Sequence, residues 1–248
     1  MEREEWLKKV RSQTELLYDQ LAPAYWITFG FYANTMHIQF IEKLLGRLDT
    51  PCSLLDGACG AGRYDGMLLE AGHRVLGIDQ SGHMLARASE YFPPEVFPRL
   101  SYCQVGLQEM DFQSEFNGAI CIDAMEHICP EDWPVILANF QKALKPGGLL
   151  YFSVEVADAS EVREAYEQAR ALRLPVVYGE VAHEIEAACA QIAGLDWQAI
   201  PGEQAARATY HYYPPLEQVR AWLDQAGFEI EAEGTGDGYA HFMANKQA

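Results

Sequence analysis

Residues 53–64 read SLLDGACGAGRY, and the fold turns on them. Leu54 and Leu55 close an apolar run, Asp56 follows, and Gly57, Gly60 and Gly62 arrive within six positions. An apolar-periodic segment from Tyr64 to Ala71 comes next. Strand, glycine turn and helix in that order let a backbone approach a ligand, because glycine has no Cβ to collide with it. The first turn of the helix points unpaired N–H groups at the same spot. About twenty residues on, HRVLGID (residues 73–79) reads as a second strand that again ends in an acid. A carboxylate at that place accepts hydrogen bonds from a ribose diol.

Working outward, the spacing predicts an α/β chain. Ile38–Leu48 reads as an amphipathic helix before the first strand. Ser81 is placed to cap a helix that runs through Tyr91, with Met84 and Leu85 inward, and PPEVFP stops it. Leu100–Val105 is a third strand and Asn117–Ile128 (NGAICIDAMEHI) a fourth, with an acid at its C-terminal end. Glu131–Leu144 is a helix with Trp133, Ile136, Leu137, Phe140 and Leu144 on one side, and LKPGG turns it into the fifth strand, which ends at Glu155. The alternation breaks from Val156 to Tyr213, where EVREAYEQARAL and VAHEIEAACAQI read as two helices around LPVVYG. A helix, a sixth strand and YAHFMANK close the chain. The N-terminus starts as a charged helix packed by Trp6, Leu16 and Leu17 and breaks near Pro23.

A length of 248 residues suits one domain with an insertion, and 49% hydrophobic residues is an ordinary globular balance. The net charge of −18 repels phosphate backbones and anionic bilayers, which argues against nucleic-acid and membrane partners. The six cysteines form no CxxC, and no Cys/His spacing matches a zinc site, so no metal is expected. With neither a signal peptide nor an apolar run of about 20 residues, a reduced, cytoplasmic protein is the expectation.

Gly60, Gly62 and Gly66 also fit a loose GxGxxxG, so the glycines alone leave a dinucleotide-binding oxidoreductase open. The combination is more specific. DGACGAG, GID, CIDAMEH, LKPGG and the terminal AGF-strand unit together resemble the class I S-adenosylmethionine (SAM)-dependent methyltransferases, over about 52–155 and 215–246. The resemblance implies a Rossmann-like sheet of seven strands, the last antiparallel, with helices on both faces. It divides one methyltransferase domain into a helical N-terminal cap (1–50), a SAM-binding core (51–155), an insertion (156–213) and a C-terminal helix with strands (214–248). The insertion lies where such enzymes often build a lid over the substrate; the alternative is a helical decoration at the sheet edge.

By the same resemblance, SAM and its product S-adenosylhomocysteine (SAH) would meet Asp56, Gly57, Ala58, Cys59, Gly60, Gly62 and Arg63 in the first motif. Asp79, Gln80 and Met84 belong to the second, and Leu107 and Gln108 would cover the adenine. Asp123 and Ala124 would line the methionine half, while Tyr18 and Tyr25 match a YDxLAxxY segment that folds over the cofactor. Two positions depart from the family: Gly106 stands where an acid contacts the adenine amino group, and Ala58 where the first glycine is usual. A base, where the acceptor needs one, must come from near the ends of strands four and five or from the insertion. His211 in TYHYY is preferred, with Glu155, His127 and His183 as the other candidates.

The expected reaction is methyl transfer to O, N or C of a small molecule, planar or apolar given the aromatic insertion, by proximity and in-line orientation. A homodimer stays open. So does a repurposed member that binds SAM without methyl transfer, as a binding module or cyclisation catalyst, because retained cofactor residues do not prove the reaction.

Overall fold

Neighbouring residues along the central strands send side chains to opposite faces, and both faces are apolar. Leu54 packs with Phe40, Ile41, Leu44 and Leu68 on one side; Leu55 packs with Ile136, Leu137 and Phe140 on the other. Strands apolar on both faces belong in the middle of a sheet covered by helices. The computed structural model describes residues 1–30, 34–181 and 210–247.

The parallel strands are β1 (Ser53–Gly57), β2 (Arg74–Asp79), β3 (Leu100–Gln104), β4 (Phe116–Cys121) and β5 (Leu144–Glu155). A short ribbon, β6 (Glu180–Val181) with β7 (His211–Tyr212), stands apart. Strands β8 (Phe228–Gly236) and β9 (Tyr239–Lys246) complete the main sheet in the order β3-β2-β1-β4-β5-β9-β8. Only β9 runs against its neighbours. These seven strands and the antiparallel β9 agree with the expected fold. Between β1 and β4 the order reverses, and in open α/β sheets ligands collect there, beyond the carboxyl ends of the strands.

Helices α3 (Thr35–Leu45) and α4 (Asp65–Glu70) cover one face; α6 (Trp133–Ala143) and α8 (Leu216–Gln225) cover the other. Trp133 is fully buried there, stacked on Trp222 at 5.2 Å. Helix α5 (Gly82–Tyr91) is capped as expected, the Ser81 hydroxyl accepting from the Met84 N–H at 3.1 Å. Helix α1 (Arg3–Leu21) passes through a 3-10 turn at Pro23 into α2 (Tyr25–Thr28). Helix α7 (Ala159–Ala171) is the first of the two expected in the insertion; the second falls outside the described residues apart from Val181, which is in β6.

Several sequence expectations shift. Leu16 is half exposed, because the buried stripe of α1 follows Trp6, Val10 and Leu17. The fourth strand stops at Cys121: Asp123 takes a left-handed φ of 52°, and residues 125–127 form a 3-10 turn. LKPGG is the irregular start of β5 rather than a turn before it, with its register shifted against β4. No described helix is long and apolar enough to cross a membrane.

Candidate active site

A cavity of about 580 Å³ opens at the strand-order reversal. Asp56 and Asp79 at the ends of β1 and β2 line it, with the loop after β3 and the residues that follow β4. Glu155 at the end of β5 and His211 from β7 close one end, and α1 and α2 form the wall opposite the sheet. The chain thus brings residues 14 and 239 into one pocket.

The glycine loop divides by role. Gly60 lines the cavity at φ 56°, and a Cβ there would lie 3.1 Å from Met84 Cε and 3.7 Å from the Tyr25 hydroxyl. This is a cradle that a side chain would fill. Gly57 and Gly62 do not line the cavity: a Cβ on Gly57 would strike Phe140 at 2.8 Å, and one on Gly62 would strike Asp65 at 2.5 Å. Their missing side chains serve packing behind the loop. Of α4 the N-cap residue Tyr64 lines the cavity, while residues 65–70 do not. Ala58 lines it at φ 54°, a left-handed conformation that costs a residue with a Cβ about 1–2 kcal/mol. Backbone conformation, rather than side-chain size, is what favours glycine there.

Asp79 organises this half of the site. One carboxylate oxygen accepts from the Gly60 N–H at 2.9 Å and the other from the Ser81 N–H at 2.8 Å. Burial pushes its carboxyl up to about 6 against those two bonds. Burial, followed by the Asp65 charge, pushes the Asp56 carboxyl well above the usual carboxylate range. Cys59, Gln80 and Met84 also line this half, and burial pushes the Cys59 thiol up.

Gly106, Leu107 and Gln108 form the wall after β3. Buried Asn139 donates to the carbonyls of Leu107 and Gln108, both at 3.0 Å, and so fixes a wall that carries no acid of its own. Nothing in the sequence pattern marks Asn139, which sits on an otherwise apolar helix.

At the other end Arg63 donates to Asp123 at 2.6 Å and to the Tyr25 hydroxyl at 2.8 Å, tying the N-terminal wall to the loop after β4. Asp123 Oδ1 lies 3.5 Å from His37 Nε2, and His37 Nδ1 meets the Tyr64 hydroxyl at 2.8 Å. Burial, opposed by the Asp123 charge, takes His37 down to about 4, so it is neutral. Ala124 also lines the cavity.

The candidate bases fall into different surroundings. His127 Nδ1 faces the Tyr210 carbonyl at 3.1 Å, which only accepts, so Nδ1 carries the hydrogen. Nε2 then accepts from the Tyr18 hydroxyl at 2.8 Å, and burial lowers the ring's proton affinity. His127 therefore orients Tyr18. His211 Nε2 stands 3.4 Å from Glu155 Oε2, with its ring stacked on Tyr213 at 5.8 Å and 7°. Burial pushes the Glu155 carboxyl up, partly offset by a hydrogen bond from Tyr213. His183 lies outside the described residues. Glu126, Tyr64 and Tyr239 line the same end without having been marked as site residues by the sequence. Among the described residues no cluster of His, Cys, Asp and Glu could hold a metal ion.

Residues 54–148 match the family model described as a methyltransferase domain. Over that stretch the chain is similar to the methyltransferases. Over 125 residues it is 34% identical to a ubiquinone biosynthesis O-methyltransferase of Methylococcus capsulatus, covering 48% of this chain and 49% of that one. It spans about half the length, or less, of the curated relatives it matches. Among solved structures, Burkholderia thailandensis 1,6-didemethyltoxoflavin-N1-methyltransferase superposes with a TM-score of 0.64 at 17% identity, over 100% of this chain and 92% of that one. A SAM-dependent methyltransferase of Methanosarcina mazei gives 0.63 at 19% identity, over 84% and 97%. At these identities the structural likeness of the methyltransferase domain is one of fold.

Proposed function

We propose that this methyltransferase binds SAM in the cavity beside Asp79 and transfers its methyl group to a small-molecule acceptor held between Asp123, Glu155 and His211. The observation that carries the reading is the placement of one continuous cavity over the strand-order reversal, with the Gly60 cradle and the Asp79 carboxylate on one side of it. When bound, SAM supplies an activated methyl on a positively charged sulfur. The B. thailandensis neighbour was crystallised with SAH and its acceptor, which supports a cavity of this kind serving both.

In this assignment Asp79 holds the ribose, and the polar tip of Gln108 with the apolar face of Leu107 borders the adenine. Tyr18 and Tyr25, fixed by His127 and Arg63, cover the cofactor from the N-terminal side. The insertion contributes His211 and so acts as part of the acceptor's enclosure. Catalysis then rests on holding the acceptor in line and excluding water. Where the acceptor must lose a proton, His211 Nε2 and Glu155 Oε2 hold it between them. An NAD(P) enzyme would also use the glycine loop and Asp79, but it gives no role to the carboxylates gathered at the acceptor end.

If the pair moves a proton, His211→Gln and Glu155→Gln will each lower kcat by about a hundredfold or more while leaving SAH affinity within about twofold. Steady-state methylation alongside SAH titration checks this. An unchanged kcat in both folded variants would show that the acceptor needs no base from this pair.

A further inference from the structure

The acceptor end of the cavity is more acidic than methyl transfer requires. Five carboxylate side chains line the pocket, at Asp56, Asp79, Asp123, Glu126 and Glu155, and Arg63 is the one Lys or Arg among the described lining residues. Arg63 is committed to Asp123 at 2.6 Å, and Asp79 and Asp56 are held by the glycine loop and Asp65. Glu126 remains, with Glu155 nearby facing His211 and Tyr213. Glu126 is 3% exposed, and its Oε2 is buried without a hydrogen-bond partner. Its other oxygen comes no closer than 3.9 Å to His127 Nε2, an atom already occupied by the Tyr18 hydroxyl. A buried carboxylate oxygen without a hydrogen bond is costly, and Arg63, the one Lys or Arg among the described lining residues, is engaged by Asp123.

The rims around these two acids are aromatic. Tyr18, Tyr239, His127 and His211 line the same end, and Tyr213 stacks behind His211. Carboxylates set among ring faces and edges are suited to a nitrogen cation, which is attracted both to the charges and to the rings. An anionic acceptor would instead meet Asp123, Glu126 and Glu155 at close range.

We propose that the acceptor carries a basic nitrogen, and enters as an ammonium that Glu126 and Glu155 receive within the ring of Tyr18, Tyr239 and His211. This rests on the methyltransferase reading of the same cavity and names its substrate class. Burial, followed by the Asp123 and Glu155 charges, pushes the Glu126 carboxyl up, and a cation between these groups relieves that crowding. Before a nitrogen can attack, one N–H bond breaks, its proton passes to the His211–Glu155 pair, and the electron pair stays on the nitrogen.

Three probes that share one frame separate the possibilities: phenethylamine, 2-phenylethanol and phenylacetate, titrated calorimetrically into the full chain with and without saturating SAH. The amine is expected to bind at least tenfold more tightly than the alcohol, with phenylacetate weaker still. Burial favours the neutral form of the Glu126 carboxyl, which glutamine matches in shape, so Glu126→Gln is expected to keep its melting temperature. Glu126→Gln and Glu155→Gln should each cut the amine's advantage several-fold while SAH affinity holds. An alcohol or carboxylate that binds as well as the amine, an amine that does not bind, or an advantage unchanged in both variants would overturn the proposal. The SAH titration is read separately, so a failure of the cofactor assignment is distinguishable from a failure of this one.

Discussion

Asp79→Ala will weaken SAH binding by about a hundredfold or more, the scale expected when a buried charged hydrogen-bonding group is lost together with the loop it holds. The carboxylate fixes Gly60 and Ser81 through two N–H bonds and lines the cavity at the end of β2, so its removal loosens the cradle and, in the proposed assignment, deletes the ribose's acceptor as well. Asp79→Asn keeps the shape and one acceptor oxygen, and its loss should be smaller. Because burial holds this carboxyl at about 6, acidification protonates it in the free protein. A ligand that prefers the ionised form then binds about fourfold less tightly at about pH 5.5 than at about pH 7.5. Asp79→Asn should abolish that dependence. Calorimetry across pH reads both effects, and unchanged affinity in a folded Asp79→Ala protein would remove this residue from the site.

Arg63→Met will destabilise the chain by about 3 kcal/mol, the usual scale for taking one partner from a buried ion pair. The Arg63 and Asp123 side chains are 9% and 18% exposed, and without the guanidinium the carboxylate is left facing a neutral His37. Arg63 also holds the Tyr25 hydroxyl, so the N-terminal wall loosens with it. For a chain of this size the melting temperature should fall by about 6–12 °C. Adding Asp123→Asn removes the orphaned charge, and asparagine tolerates the left-handed backbone that residue 123 adopts. The double variant should therefore recover most of the loss in thermal denaturation. If it is no more stable than Arg63→Met, the ion pair is not what Arg63 contributes.

What the sequence revealed and what it hid follow from chain distance. The β1–loop–β2 segment packs its cradle, acid and strand ends into residues 53–79, so local spacing carries the information. The positions of the strands are legible because their apolar runs are bounded by glycine, proline or an acid. The end of the cavity beside Glu155 gathers residues 37, 63, 123, 126, 155, 211 and 239 from six separate places, and no local pattern marks such a set. His37 is one histidine on an amphipathic helix, and Glu126 reads as a solvated acid beside His127 until the loop after β4 folds inward. The glycines carry two demands at once for a related reason. Gly57 and Gly62 are required by Phe140 and Asp65, contacts that a one-dimensional motif cannot separate from contact with a ligand.

The central claim is that the cavity over the β1–β4 reversal is a SAM site. Calorimetric titration of the wild-type chain with SAH and, in parallel, with NADPH tests it most directly. Micromolar binding of SAH with no heat from NADPH is the predicted result. Binding of NADPH alone, or of neither, would contradict it.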